Sequence, residues 1–317
     1  FKEKAYVRET NEHIAVWEGE KYTKEKATEV SGINSIAWND TFMNGQLGSM
    51  INQADHIYLN LNENDRAESK IPTQDIRLFK DLKSKYPLHN FERSAPIMAS
   101  LRSIKQEEEI AIMQDACNIT ESALRKVLAF VKPGVMEYEV EAEIIANFIR
   151  NRANGHAYSP IIASGGNACV LHYVENNREC KDGDLLLMDF GSEYANYASD
   201  MTRTIPVNGR FTDRQRAVYN AVNRVKNEAT KLLVPGTIWA DYHVEVGKLM
   251  TSELLGLGLL DKADVQNEDP KWPAYKKYFM HGTSHHMGLD THDYGELKTP
   301  MKANMVFTVE PGIYIQE

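Results

Sequence analysis

Residues 281–293 read H-G-T-S-H-H-M-G-L-D-T-H-D, four histidines and two aspartates set mostly among small residues. Any single one of these histidines could be the polar residue of a surface loop. His281, His285 and His292 together point elsewhere, because neutral imidazole is the commonest metal ligand among side chains. The run lacks the H-E-x-x-H spacing that puts two imidazoles on one face of a helix. The rest of any ligand set must therefore come from other parts of the chain.

Three acids stand where an apolar residue would cost less. Asp189 interrupts D-G-D-L-L-L-M-D-F-G, a turn signal followed by a buried-strand pattern. Burying a lone carboxylate costs several kcal/mol unless it is paired or coordinates a metal. Asp200 follows 11 positions later, across G-S-E-Y-A-N-Y-A-S. That stretch can turn and return as an adjacent antiparallel strand, bringing both carboxylates to one spot; on spacing alone Asp200 could instead hydrogen-bond in a turn. Glu310 lies in V-F-T-V-E-P-G-I-Y-I, between two strand-like apolar pieces, and could equally be an exposed strand end. His172 closes the apolar run of N-A-C-V-L-H-Y-V-E-N, read as a strand, where a hydrogen-bonded strand-end histidine is the plainer reading. Together these are hard oxygen donors plus an imidazole, a set suited to Mn²⁺, Co²⁺, Fe²⁺ or Zn²⁺ and unlike a thiolate-rich structural zinc site. Carboxylates able to bridge suggest two ions about 3.5–4 Å apart that activate water at neutral pH.

The elements that must position these residues show in the pattern of the whole chain. Its 317 residues and 42% hydrophobic content predict roughly two globular domains. A formal charge of −9 argues against nucleic acid or an anionic membrane surface as the main partner. Cys117, Cys169 and Cys180 have no C-x-x-C spacing, which indicates neither a disulfide framework nor a thiolate zinc site and fits a reducing cytoplasm. No apolar run approaches the roughly 20 residues of a membrane span. The opening F-K-E-K-A-Y-V has neither signal-peptide pattern nor initiator Met, and the end stops just after an apolar run. The chain reads as a piece of a longer one.

Residues 1–97 mix strand-like pieces (H-I-A-V-W, H-I-Y-L-N-L) with a helical stretch near I-P-T-Q-D-I-R-L-F-K-D-L-K-S-K-Y, which suggests a small α/β domain. Its histidines, His13, His56 and His89, are scattered and have no catalytic spacing. Composition shifts near Pro96. Two units of helix, Pro-Gly stop and helix follow, over 104–153 and 212–257, and suggest an internal duplication. Strand-rich segments between and after them hold the unusual polar residues. That layout predicts helices covering one face of a curved, mostly antiparallel sheet, an α+β arrangement.

In this order, L-H-Y, M-D-F-G, S-D-M-T-R-T, H-G-T-S-H-H-M-G-L-D-T-H-D and T-V-E-P-G resemble the motifs of the pita-bread metallopeptidases, and among them the Xaa-Pro aminopeptidases (aminopeptidase P). The resemblance implies a pita-bread catalytic domain over 98–317, C-terminally incomplete, after the C-terminal part of a creatinase-type N-terminal domain over 1–97. It implies Asp189, Asp200, His285 and Glu310 as ligands of two divalent ions, Mn²⁺ foremost, with Co²⁺ or Zn²⁺ as alternatives. Glu310 would double as general base. A further family glutamate is expected beyond V-E-P-G, farther along than Glu317. His281 and His292 resemble histidines that contact the peptide and move protons, and His172 would lie at the proline end. His286 would face away from the site, if the segment is extended, and is left to packing, as are His156 and His243. The implied activity is exopeptidase hydrolysis of the bond between an N-terminal residue and a penultimate proline. The enzyme would be cytoplasmic, a homodimer or higher homo-oligomer. A prolidase acting on dipeptides is the nearest alternative, although H-G-T-S-H is closer to aminopeptidase P. A pita-bread binding module without catalysis is the alternative of another class, and such modules have typically lost the ligand residues kept here.

Overall fold

A computed structural model describes residues 2–61, 63 and 70–316. Contacts divide the chain into two units, Phe1–Pro96 and Ile97–Glu317. In the first unit two short parallel pairs form, β1 (Ala5–Val7) with β2 (Ile36–Trp38) and β3 (His56–Leu59) with β4 (Asn90–Arg93). Helices α1 (Glu12–Glu18), α2 (Lys24–Ser31), α3 (Asn39–Thr41), α4 (Leu47–Ile51) and α5 (Gln74–Lys85) lie between them in sequence. The expected strand H-I-A-V-W is instead α1. Asn11 accepts a hydrogen bond from the Ile14 amide at 2.8 Å, satisfying one of the donors that a helix start leaves open. Only Ile14 of that stretch is buried, while Val16 and Trp17 are exposed, so the apparent alternation had no sheet to serve. The helix α5 and the strand at His56 form where their patterns predict.

The second unit is built on two helical hairpins that follow α6 (Ala95–Ser103). The first is α7 (Glu107–Phe130) with α8 (Glu137–Arg150), and the second is α9 (Asp213–Leu232) with α10 (Trp239–Gly256). A reciprocal capping box of Thr212 and Gln215 starts α9, and at the start of α7 the Gln106 amide donates to Glu109 Oε2 at 2.8 Å. Both hairpins turn through the glycine of their Pro-Gly stop, Gly134 at φ +95° and Gly236 at φ +97°, conformations that side chains avoid. Each hairpin has its own core. Val127, Ile144 and Phe148 pack under Leu186, Met188 and Phe190; Val225, Val246, Met250 and Leu254 pack with Phe279 and Met301.

The sheet against the first hairpin is antiparallel, with β7 (Leu185–Phe190) between β6 (Ile161–Ser164) and β10 (Met201–Pro206). Along β7, Leu186, Met188 and Phe190 are fully buried, so Leu185, Leu187 and Asp189 project to the opposite face. After β7 the chain leaves the sheet at Gly191, where a Cβ would lie 1.7 Å from the Ser199 carbonyl oxygen. Only glycine fits there. The hairpin of β8 (Ser192–Tyr194) and β9 (Tyr197–Ala198) then turns through Ala195 and Asn196, at φ +48° and +71°. It pairs with β5 (Gly155–His156) before β10 returns along β7.

Two strand expectations are corrected. N-A-C-V-L-H-Y-V-E-N is no strand: Gly165–Cys169 forms a 3₁₀ turn and the chain then runs irregularly. Its amides bond locally instead, Val170 to the Asn167 carbonyl at 2.9 Å and Tyr173 to the Val170 carbonyl at 3.3 Å, while the buried Glu137 accepts from the amides of Ser164 and Arg178 on either side of the segment. V-F-T-V-E-P-G does pair with the histidine-rich run, but on one side only. Met287, Thr308 and Glu310 donate their amides to Val306, His285 and Thr283, in one constant antiparallel register. The His285 amide is diverted to the Thr308 hydroxyl at 3.1 Å, which leaves the ladder incomplete. Among the described residues no helix is long and apolar enough to cross a membrane.

Candidate metal centre

Two strand pairings bring the acids and the imidazole to one place. In the β7–β10 register Asp189 is opposite Thr202, so Asp200, two residues earlier, shares the face of Asp189. The Tyr158 hydroxyl lies between them, 2.5 Å from Asp189 Oδ1 and 2.9 Å from Asp200 Oδ1. It has one proton for two carboxylates. In the second pairing His285 is opposite Thr308, so Glu310 lies diagonally across on the same face. His285 Nε2 is 3.3 Å from Asp200 Oδ2 and 3.0 Å from Glu310 Oε1. Ligand atoms of Asp200, His285 and Glu310 all lie within 4.8 Å of one another, and Tyr158 ties Asp189 to that group.

The tautomer of His285 follows from its other nitrogen. Nδ1 lies 2.8 Å from the His286 carbonyl oxygen, an acceptor only, so Nδ1 carries a proton. In the neutral ring the Nε2 lone pair then faces two carboxylates, a repulsive arrangement that a proton or a metal cation would relieve. The electrostatics agree. Burial, then the charges of Asp200 and Glu310, push the Asp189 carboxyl up to about 7. Burial opposes charge on His285, but its contacts with Asp200 and Glu310 outweigh that and raise it to about 10. Glu310 is held below its usual range, because the imidazole overcomes the effect of burial. Its Oε1 atom is buried and has no hydrogen-bond donor while His285 Nε2 stands 3.0 Å away. Three carboxylates, one orphaned oxygen and one directed imidazole lone pair are a donor set that fits a hard or borderline divalent cation.

The other histidines divide by face. His292 packs its ring edge-on to His285, with centroids 4.2 Å apart. His281 places Nε2 3.0 Å from the Tyr314 hydroxyl and Nδ1 2.9 Å from the Gly282 carbonyl, and burial lowers its pKa. His172 is exposed on its turn. His286 projects to the opposite side, as an extended segment requires. Its ring stacks on Trp239 at 6.2 Å and 9° and packs on Phe307 at 4.5 Å, and burial pushes its pKa down to about 4. Tyr158 and Tyr314 had no place in the sequence reading. Neither has a spacing that announces it, since their contacts at the site reach across 31 and 33 positions. A cavity of about 450 Å³, lined in part by Cys117, Thr202 and Asn223, runs beside Asp200 and Glu310.

Comparison with known proteins bears on both units. Residues 111–317 match the family model of metallopeptidase family M24, and residues 2–58 match that of the aminopeptidase P N-terminal domain. The Xaa-Pro aminopeptidase of Haemophilus influenzae is 44% identical over 226 residues, which cover 70% of this chain and 52% of that protein. The Xaa-Pro aminopeptidase of Escherichia coli is 37% identical over 313 residues, 95% of this chain and 68% of that protein. The chain thus spans between half and about two thirds of the length of these relatives. The solved structure of zinc-substituted E. coli aminopeptidase P in complex with product matches with a TM-score of 0.84 at 35% identity, over 98% of this chain and 71% of that one.

Proposed function

This chain belongs to metallopeptidase family M24 and has the pita-bread fold, and from that premise we propose that it hydrolyses the bond between an N-terminal residue and a following proline. In this reading residues 98–317 belong to the catalytic domain and 1–97 to a partial N-terminal domain. Asp189, Asp200, His285 and Glu310 hold two divalent ions, Mn²⁺ before Co²⁺ or Zn²⁺. The convergence of Asp200, His285 and Glu310, with Asp189 joined to them through the Tyr158 hydroxyl and Glu310 Oε1 left without a donor, carries the reading. Bound divalent ions supply Lewis-acid polarisation of the scissile carbonyl and bring the pKa of water near neutrality.

The protein's own residues do the rest. Glu310, kept ionised by His285, accepts a proton at its carboxylate and returns it to the leaving proline nitrogen. His281 is kept neutral by burial and is oriented by the Gly282 carbonyl, so that with Tyr314 it can hold the peptide by hydrogen bonds. His292, edge-on to His285, serves in proton movement. His172 lines the proline end from its exposed turn. Proline fixes its own φ, so a pocket shaped for it loses little entropy on binding. The same reading makes the enzyme a cytoplasmic homodimer or higher homo-oligomer.

Substrate length tests the assignment. Mn²⁺-loaded full-length protein is given Xaa-Pro and Xaa-Pro-Yaa in parallel, and release of Xaa from the tripeptide is expected. Cleavage of the dipeptide alone would make it a prolidase. Absence of bound divalent ion together with absence of peptide release would leave the non-catalytic binding module.

A further inference from the structure

Asp290 and Asp293, the two aspartates of the histidine-rich run, have no part in the proposed ligand set. We propose that Asp293, locked between Lys105 and Arg102, is a positioning residue that holds His292 against His285. Its kinetic consequence rests on the peptidase reading above; its geometric content does not.

The lock is a buried ion cluster. The Lys105 and Asp293 side chains are 2% and 1% exposed, with Nζ 3.4 Å from Oδ2. Arg102 pairs with the other oxygen of Asp293 and, at 2.6 Å, with Asp290 Oδ2. Replacing a buried ion pair by apolar groups of equal volume is often neutral or stabilising, so what such a cluster contributes here is fixed geometry. The backbone shows what is fixed. The Asp293 amide donates to the His286 carbonyl at 3.0 Å and the Gly288 amide to the Asp290 carbonyl at 3.1 Å. These bonds close the loop that begins at His286 and carries His292 one residue before the lock. The far side is pinned as well. Ser103 Oγ accepts from the Glu296 amide at 3.0 Å, and the Lys105 amide donates to the Asn304 carbonyl at 2.9 Å.

Gly288 is part of the same device. A Cβ there would lie 2.2 Å from Asp293 Oδ2 and 3.0 Å from Lys105 Cε, so the glycine leaves room for the ion pair. With Asp293 anchored, the Cα of His292 is fixed next to it, and the ring can stand 4.2 Å from that of His285. The loop carries the motif G-L-D-T-H-D because the acids anchor and the histidine is presented.

The test separates positioning from mere stability. Asp293→Asn is made alone and in a His292→Ala background, and Lys105→Met is made alone and with Asp293→Asn. In the metal-loaded protein Asp293→Asn should lower kcat by about tenfold to a hundredfold, with KM and metal content nearly unchanged. In the His292→Ala background it should lower kcat hardly further, because both changes act through one imidazole. Independently of activity, ¹⁵N-histidine spectra of the metal-free protein should show one sharp set of His292 ring signals. In Asp293→Asn that set should broaden or split while His243 stays as it was. Equal kcat losses in both backgrounds, or unaltered His292 signals, would overturn the proposal. Should Asp293→Asn not fold, Lys105→Met with Asp293→Asn removes both buried charges and carries the same measurements. Should the wild-type protein release no amino acid from any peptide, the peptidase reading fails and the His292 spectra alone decide the positioning.

Discussion

Two groups of acids in the second unit meet opposite fates. Glu137, fully buried at the first residue of α8, accepts from the Ser164 amide at 2.6 Å, the Ser164 hydroxyl at 2.7 Å, the Tyr173 hydroxyl at 2.7 Å and the Arg178 amide at 2.9 Å. Its carboxylate is saturated by donors, and it binds the start of a helix to the irregular segment that carries His172. Asp189, Asp200 and Glu310 face one another instead. Two of them share a phenol proton, and the third keeps a buried oxygen without a donor. A carboxylate surrounded by donors serves as scaffold, whereas carboxylates that share donors and repel one another make a place for a cation.

The strongest way to break this contrast is at Asp189. Asp189→Asn should abolish divalent-metal binding, whereas His292→Ala should keep the metal and lose much of the turnover. Titration calorimetry and metal analysis read the first outcome and steady-state kinetics the second. Equal metal loss in both variants would erase the division between ligand and helper.

Glu137→Gln probes the other member of the pair. The amide would set its own N–H groups against donors, costing about 3 kcal/mol for unsatisfied buried groups. Denaturant unfolding should show that loss, with metal stoichiometry of the folded protein unchanged. Unchanged stability would mean that the saturated shell does not matter.

A further test is the pH dependence of the metal-free protein. Asp189 rises from 3.8 unfolded to about 7 folded, so the native state binds more protons between those values and stability falls as pH rises through that window. His285 rises from 6.5 to about 10; its contribution is full below 6.5 and lost as pH passes 10, the same direction. Metal competes with these protons. The Tm gain on adding Mn²⁺ should therefore grow from pH 5 to pH 8, and a gain independent of pH would sharply weaken the cation argument.

Much of the site was legible because its signals are local. Asp189 is an acid that breaks the apolar run of a strand, and the Pro-Gly stops mark hairpins that turn at Gly134 and Gly236. Where the reading failed, the deciding partner was small or distant. In H-I-A-V-W a single capping side chain, Asn11, favoured helix over strand. Around N-A-C-V-L-H-Y-V-E-N a buried acid, Glu137, pins the chain on either side through amides 27 and 41 positions away.

The sequence by itself determined which chemistry was available: oxygen donors and imidazoles, the glycines that let backbones approach, and a two-residue period that puts Asp189 and Asp200 on one face once their strands pair. Only the tertiary structure decided how these groups meet. The diagonal of His285 and Glu310, the hydroxyl of Tyr158 between two carboxylates and the lock of Lys105 and Arg102 on Asp293 join residues 25 to 191 positions apart. Period and propensity act over a few residues, whereas contacts at that range exist only after the chain has closed its loops and packed its cores.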